Sequence, residues 1–342
     1  MRTMTEAEGI VVRALLASQP IAERERIERT GLPPRTYFSV KQRLLNDGYL
    51  TERYIPDLGW VGFPILTFVI VQPYSENFQK LLDAWKGDAS NIFLWSGQER
   101  LVGVFAHINR GAAKDFMKQT ETERGASMGM DLTVDARDPS LPVYFDFEGA
   151  WSMLIGASGT LSYPQPLVSA HSPPSRGSHG SELSAARGLV TRPIASTTAV
   201  PPRRFGTFFL SRTQRRVLNH GLVSHRVFLD LTKAAAISGI ERIIFVKGKL
   251  VEGCTPEGLF RLLAGECRVA PFLFAVDHDQ ILFAGLSPRP AGNPSREVSS
   301  RRSVSALMKD SLTGIQVMRE PTQDLSLQVN HRYDRLFHDP DL

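Results

Sequence analysis

The sequence predicts an α+β protein of more than one unit, and three observations carry that expectation. The opening segment reads as three short helices and a strand. The next segment alternates apolar β-branched runs with helix-period stretches. A Ser/Pro-rich span then precedes a further alternation of the same kind. At 342 residues about two or three domains are expected, and a hydrophobic fraction of 42% is ample for packed cores. The formal charge of +5 and the pI near 9.3 permit nucleic-acid binding without proving it.

Thr5 to Ser18 fits a first helix. Thr5 and Glu8 have capping-box spacing, and Ile10, Val11, Leu15 and Leu16 give a core face. Ile21 to Arg29 fits a second helix with a solvated face of alternating sign. Thr30-Gly31-Leu32 is a tight turn. Pro34 to Asp47 is the third helix, with Pro34 in a first turn that loses no hydrogen bond. Tyr37, Val40 and Leu44 make its apolar stripe, and Gly48 stops it. Thr51 to Tyr54 restart an extended segment.

This order is that of a winged helix-turn-helix whose third helix enters the major groove. Arg35, Thr36, Ser39, Gln42 and Arg43 are the expected base- and phosphate-contacting residues, with Arg26 and Arg29 of the second helix near phosphates. The competing reading is an ordinary surface helix with a solvated polar face.

Phe63 to Val71 reads as a buried strand and Asn77 to Trp85 as a helix. Asn91 to Trp95 and Leu101 to Ile108 form a hairpin that turns at Gly97. Ala112 to Thr120 is a further helix, and Asp131 to Val134 with Val143 to Phe147 are expected to complete the sheet. The order βαββαβ is ferredoxin-like.

These residues carry a resemblance to the Lrp/AsnC (feast/famine) transcription regulators. It rests on Gly31-Leu32-Pro33-Pro34, Lys41-Gln42-Arg43-Leu44, Gly48-Tyr49-Leu50, Tyr54, Leu58-Gly59 and the Gly97 turn, across roughly residues 4–120. The resemblance implies double-stranded DNA as partner, a homodimer or higher oligomer, and a small-molecule effector near Ser96, Gly97 and Gln98. It implies that the Phe63–Val71 strand and the 91–108 hairpin meet a second chain. Two departures stand out. Lys41 replaces a usually apolar residue, which would shift the packing of the third helix by one position. The family is also usually a single such unit.

Residues 1–58 are therefore expected as the DNA-binding domain, 59–155 as the ferredoxin-like domain, 161–206 as a flexible basic Ser/Pro-rich linker, and 207–335 as a second α+β domain of unassigned family. In the last, 242–251 (RIIFVKGKLV) reads either as a weak copy of the recognition helix or as a hairpin turning at Lys247-Gly248. The hairpin is preferred, because Gly248 would weaken a helix and Ile243 to Val246 are strand formers.

Enzymatic signatures are not recognised. His278 lies between two aspartates on an expected turn, His331 and His338 have no partner motif, and no phosphate-binding glycine loop occurs. Cys254 and Cys267 match no metal spacing and give no disulfide framework, which suits a reducing cytoplasm. The start, MRTMTEAEG, has no apolar signal core, and the longest apolar run is too short to span a bilayer. The expectation is a cytoplasmic transcription regulator with no catalytic residue, no metal, no cofactor and no membrane partner. A protein-interaction adaptor is one alternative. A ligand-binding enzyme is another, since siroheme decarboxylases share the Lrp-like architecture.

Overall fold

The computed structural model describes residues 4–16, 23–97, 99–122, 125–135, 143–145, 179–191, 211–230, 233, 240–265, 270–288, 308, 311–321 and 326–329. Helices α1 (Glu6–Leu16), α2 (Glu23–Thr30) and α3 (Pro34–Asn46) lead into strand β1 (Leu50–Pro56). Thr5 and Glu8 close the expected capping box: the Thr5 amide donates to Glu8 Oε2 at 2.8 Å and the Glu8 amide to Thr5 Oγ1 at 3.3 Å. Gly48 ends α3 with φ 68°, a left-handed backbone that a side chain would oppose.

The first sheet follows from β2 (Ile65–Pro73), α4 (Phe78–Gly87), β3 (Asn91–Ser96), β4 (Leu101–His107), α5 (Arg110–Thr122) and β5 (Ala126–Asp135). Its order β3-β4-β2-β5 is the expected ferredoxin-like one. Strand β6 (Val143–Phe145), expected to complete this sheet, pairs instead with a strand of the second sheet.

The second half repeats the plan. Helices α6 (His179–Val190) and α7 (Arg212–Asn219) precede β7 (Val223–Leu229). Then come β8 (Ile240–Leu250), α8 (Pro256–Gly265), β9 (Ala270–Asp277), β10 (Gln280–Pro288), β11 (Leu312–Pro321) and β12 (Ser326–Val329). The second sheet runs β11-β8-β10-β9-β6, the order of the first with β6 added at its β9 edge. Reciprocally, β12 leaves the second half and pairs with β3 of the first. Each half thus closes the edge of the other.

Two expectations are corrected here. The Lys247-Gly248 hairpin is one continuous strand, β8. Gly248 lies in its interior, where a Cβ would come within 3.3 Å of Leu312 Cβ and of the Thr313 carbonyl oxygen. The neighbouring β11 bulges at that point, between Thr313 and Gln316. The span 161–206, expected as a flexible linker, contains α6. Ala186 and Leu189 of that helix are fully buried with Trp60 and Val61. The rest of the span lies outside the described residues.

The sheets pack face to face, with their helices outside. Leu66, Phe68, Ile70, Phe93, Trp95, Val104 and Leu132 of the first sheet share one core with Phe245, Leu273, Ala275, Leu282 and Ala284 of the second. Leu81, Leu82, Trp85 and Phe116 cover the outer face of the first, and Leu259 that of the second. The face expected to meet a second chain therefore meets the other half of its own chain.

A local two-fold relates the halves at β1 and β7. The strands are antiparallel, Leu50 opposite Leu229, Arg53 opposite Arg226 and Pro56 opposite Val223. The segments entering them, QRLLNDGYL (42–50) and RRVLNHGLV (215–223), are near repeats. Aligning the repeats makes Arg226 the equivalent of Arg53, so the axis passes through that pair. The flanking hydrogen bonds obey it: the Asp57 amide donates to the Leu222 carbonyl and the Asp230 amide to the Tyr49 carbonyl, each at 2.9 Å.

Candidate nucleic-acid interface

Helix α3 buries Tyr37, Val40 and Leu44, so its apolar stripe is in the expected register despite Lys41. Lys41 is instead the centre of a half-buried ionic cluster. Its Nζ lies 3.0 Å from Glu23 Oε1 and 2.9 Å from Glu52 Oε1. Arg26 Nη1 joins Glu23 Oε2 at 3.1 Å, and the Tyr37 hydroxyl donates to Glu23 Oε1 at 3.1 Å. Burial works to raise the Glu23 pKa, but Lys41 and Arg26 outweigh it and hold the carboxyl below its ordinary value. Burial and the adjacent Glu23 push the Tyr37 hydroxyl well above the usual range.

The expected DNA-contacting residues divide. Arg35, Thr36 and Ser39 are exposed along α3, and Gln42 is exposed with its amide on Asn46 Oδ1 at 2.9 Å. Arg29 is exposed and paired with Glu25 at 2.8 Å. Arg26 is corrected: it is 8% exposed and points inward to Glu23, so it does not face a phosphate. Arg43 is half exposed, and its Nη2 sits 2.8 Å from the buried Glu8 carboxylate, tying α3 to α1. Of the expected effector residues, Ser96 ends β3 and Gly97 follows it; the edge of that strand is covered by β12 with Ser326 opposite Ser96. Gln98 lies outside the described residues.

The structure adds a second helix that the sequence reading passed over. Helix α7 has a full capping box on Ser211 and Gln214, and it buries Val217. Its exit repeats that of α3 bond for bond. Asp47, Gly48 and Tyr49 amides donate to the carbonyls of Arg43, Leu45 and Leu44; His220, Gly221 and Leu222 amides donate to those of Arg216, Leu218 and Val217. Gly221 takes φ 71° where Gly48 takes 68°. Arg216 Nη2 reaches Glu182 Oε1 of α6 at 2.8 Å, as Arg43 reaches Glu8. The outer face of α7, formed by Arg212, Arg215, Arg216, Asn219 and His220, lines a cavity of about 460 Å³. The signal for it was the RRVLNHGLV repeat.

Trp60, Trp85 and Trp95 are buried in the cores, and Trp151 lies outside the described residues. His278 sits in the β9–β10 turn with φ 56°, while Asp277 pairs with Arg110 and Asp279 with Lys249. Among the described residues no group of His, Cys, Asp and Glu could hold a metal, and no helix is long and apolar enough to cross a membrane.

The α+β fold is of the Lrp/AsnC-like type. No family profile and no curated protein matches the chain. Among solved structures, the siroheme decarboxylase NirDL is similar over 97% of both chains, at 11% identity and a TM-score of 0.51. The same enzyme in complex with an iron-uroporphyrin III analogue gives 0.50 at 10% identity. Escherichia coli AsnC matches 39% of this chain and 91% of its own at 13% identity, with a TM-score of 0.30. The expectation of a non-enzyme is corrected by the NirDL match. Over its whole length this architecture is one on which an enzyme is built.

Proposed function

We propose that the chain binds double-stranded DNA through α3 and acts as a transcription regulator. The observation that carries this reading is the two-sided character of α3. Tyr37, Val40 and Leu44 anchor its back, while Arg35, Thr36, Ser39 and Gln42 stand exposed on its front. Arg35 can fork onto a guanine, and Gln42 can pair with an adenine edge. Arg43 and Arg26 serve the helix rather than the duplex, since carboxylates occupy them. Fluorescence anisotropy with duplexes selected from a random pool tests the reading. Arg35→Ala should weaken specific binding by about 1–3 kcal/mol. Selected duplexes bound equally well by parent and variant would refute the role of α3.

A second reading is favoured by the full-length match to NirDL: a decarboxylase acting on a carboxylated tetrapyrrole such as siroheme. It is tested by incubating the protein with siroheme and following loss of CO2 by mass spectrometry. Turnover that survives Arg35→Ala unchanged would place the chemistry elsewhere in the chain and favour this reading.

A further inference from the structure

We propose that a single chain reads a non-palindromic duplex site as two unlike half-sites, one under α3 and the other under α7. This rests on the DNA-binding reading above. A symmetric dimer presents the same helix twice and so selects a palindrome. Here the two helices belong to one chain, lead into the paired strands β1 and β7, and differ on their outer faces.

The aligned repeats pair the outer-face residues directly. Ser39 stands where α7 has Arg212, Gln42 where it has Arg215, Arg43 where it has Arg216, Asn46 where it has Asn219, and Asp47 where it has His220. Both arginines of the third pair are taken by carboxylates of earlier helices, Glu8 of α1 and Glu182 of α6. What remains differs in kind. The α3 positions offer a hydroxyl, two amides and an acid. The α7 positions offer two further guanidiniums, an amide and an imidazole, with no acid among them. The exits of the two helices match in geometry: the same C-terminal capping bonds, the same left-handed glycine and an ion pair from the last turn to an earlier helix. The helix starts differ as well: α3 begins at Pro34 with no side-chain cap, whereas α7 begins at Arg212 under the Ser211–Gln214 box, and Gln214 stands where α3 has Lys41.

The chemistry predicts how the half-sites differ. Arginine forks onto the O6 and N7 acceptors of guanine, whereas glutamine matches the N6 and N7 pattern of adenine. The α7 half-site should be guanine-rich and carry most of the salt dependence. The α3 half-site should contain an adenine read by Gln42 beside a single guanine read by Arg35. The half-sites should lie about one helical turn apart, roughly 10 base pairs.

The test is selection of duplexes from a random pool by the full chain, followed by anisotropy titration at several salt concentrations and sedimentation of the complex. The expected result is a motif of two unlike halves and one chain per duplex. Arg212→Gln with Arg215→Gln should randomise the guanine-rich half, leave the other intact, and flatten the salt slope by roughly two charges. Arg212→Lys with Arg215→Lys should restore the slope without the base preference. Ser39→Ala with Gln42→Ala should remove the adenine preference of the other half at unchanged slope, leaving the guanine read by Arg35. All these positions are exposed, and circular dichroism checks that each variant is folded. A palindromic motif, two chains per duplex, or a glutamine variant with the parent's motif and slope would each overturn the inference while leaving DNA binding in place. A pool with no enriched duplex would instead overturn the DNA-binding reading itself.

Discussion

Replacing Lys41 by methionine removes one charge from the centre of a half-buried cluster while keeping the length of the side chain. Lys41 lies within 3.0 Å of Glu23 and 2.9 Å of Glu52, and the Glu52 side chain is 8% exposed. Deleting one partner of a fully buried pair costs about 3–5 kcal/mol. Lys41 is 17% and Glu23 34% exposed, so solvent screens part of the interaction. The expected penalty is about 2–3 kcal/mol at pH 7. It should depend on pH in a definite direction. The Glu23 pKa is depressed below its ordinary 4.5 by its cations, against the pull of burial. The stability it contributes is therefore complete above the ordinary Glu range and is lost as pH falls through the lower folded value. In the methionine variant the burial of Glu23 is opposed chiefly by Arg26, so protonation of that carboxyl relieves it. The penalty should shrink as pH falls from about 7 to about 4. Hydrogen exchange of the α3 amides measures the local opening energy directly, without requiring that the whole chain unfold at once. Equal protection in both proteins at pH 7, or a penalty unchanged at pH 4, would refute the assignment of Lys41 as the charge that holds the cluster.

Other outcomes follow from the same geometry. Arg43→Ala leaves the buried Glu8 without its guanidinium, so thermal unfolding should report a loss of about 1–3 kcal/mol before any effect on DNA is measured. Glu182→Ala should cost less in the second winged helix, since the arginine it frees is half exposed and can return to water. Gly48→Ala and Gly221→Ala each force a side chain onto a left-handed backbone at φ 68° and 71°, and each should cost about 1 kcal/mol in the same measurement. Burial holds His107 near pKa 4, below its ordinary 6.5. The unfolded chain therefore takes up the proton first, and stability should fall as pH drops from 6.5 towards 4. His107→Phe should flatten that slope in acid denaturation followed by circular dichroism.

The first half was legible because its signals are local. Gly31, Pro34 and Gly48 punctuate α3, and the β-branched run before α4 announces β2. The direction of Arg26 and Arg43 was not legible. For Arg43 the answer depends on where α1 packs, which spacing within one helix does not determine; Arg26 has its carboxylate, Glu23, three residues back on its own helix, but its burial depends on how that helix packs. The second winged helix was hidden by its surroundings. Its repeat is confined to a few residues beside a Ser/Pro-rich span, and its core is completed by Trp60 and Val61 from the other half. Gly248 misled for a related reason. Glycine signals a turn when only the chain is in view, but here it makes room for a bulge on the neighbouring strand. Both failures concern partners distant in sequence.

The exchanged outer strands impose an order on synthesis. Strand β3 is made early, yet the strand that covers its edge, β12, begins at Ser326. At about 5–20 residues per second, a ribosome takes roughly 10–50 s to travel between them. Throughout that interval the nascent first sheet carries an uncovered edge with a full row of backbone donors and acceptors, on a strand reading NIFLWS. Strand β6 faces a shorter delay, because β9 follows it sooner. Without β12 the finished protein would carry the same open edge as the growing one, so this strand acts as a built-in guard against self-association.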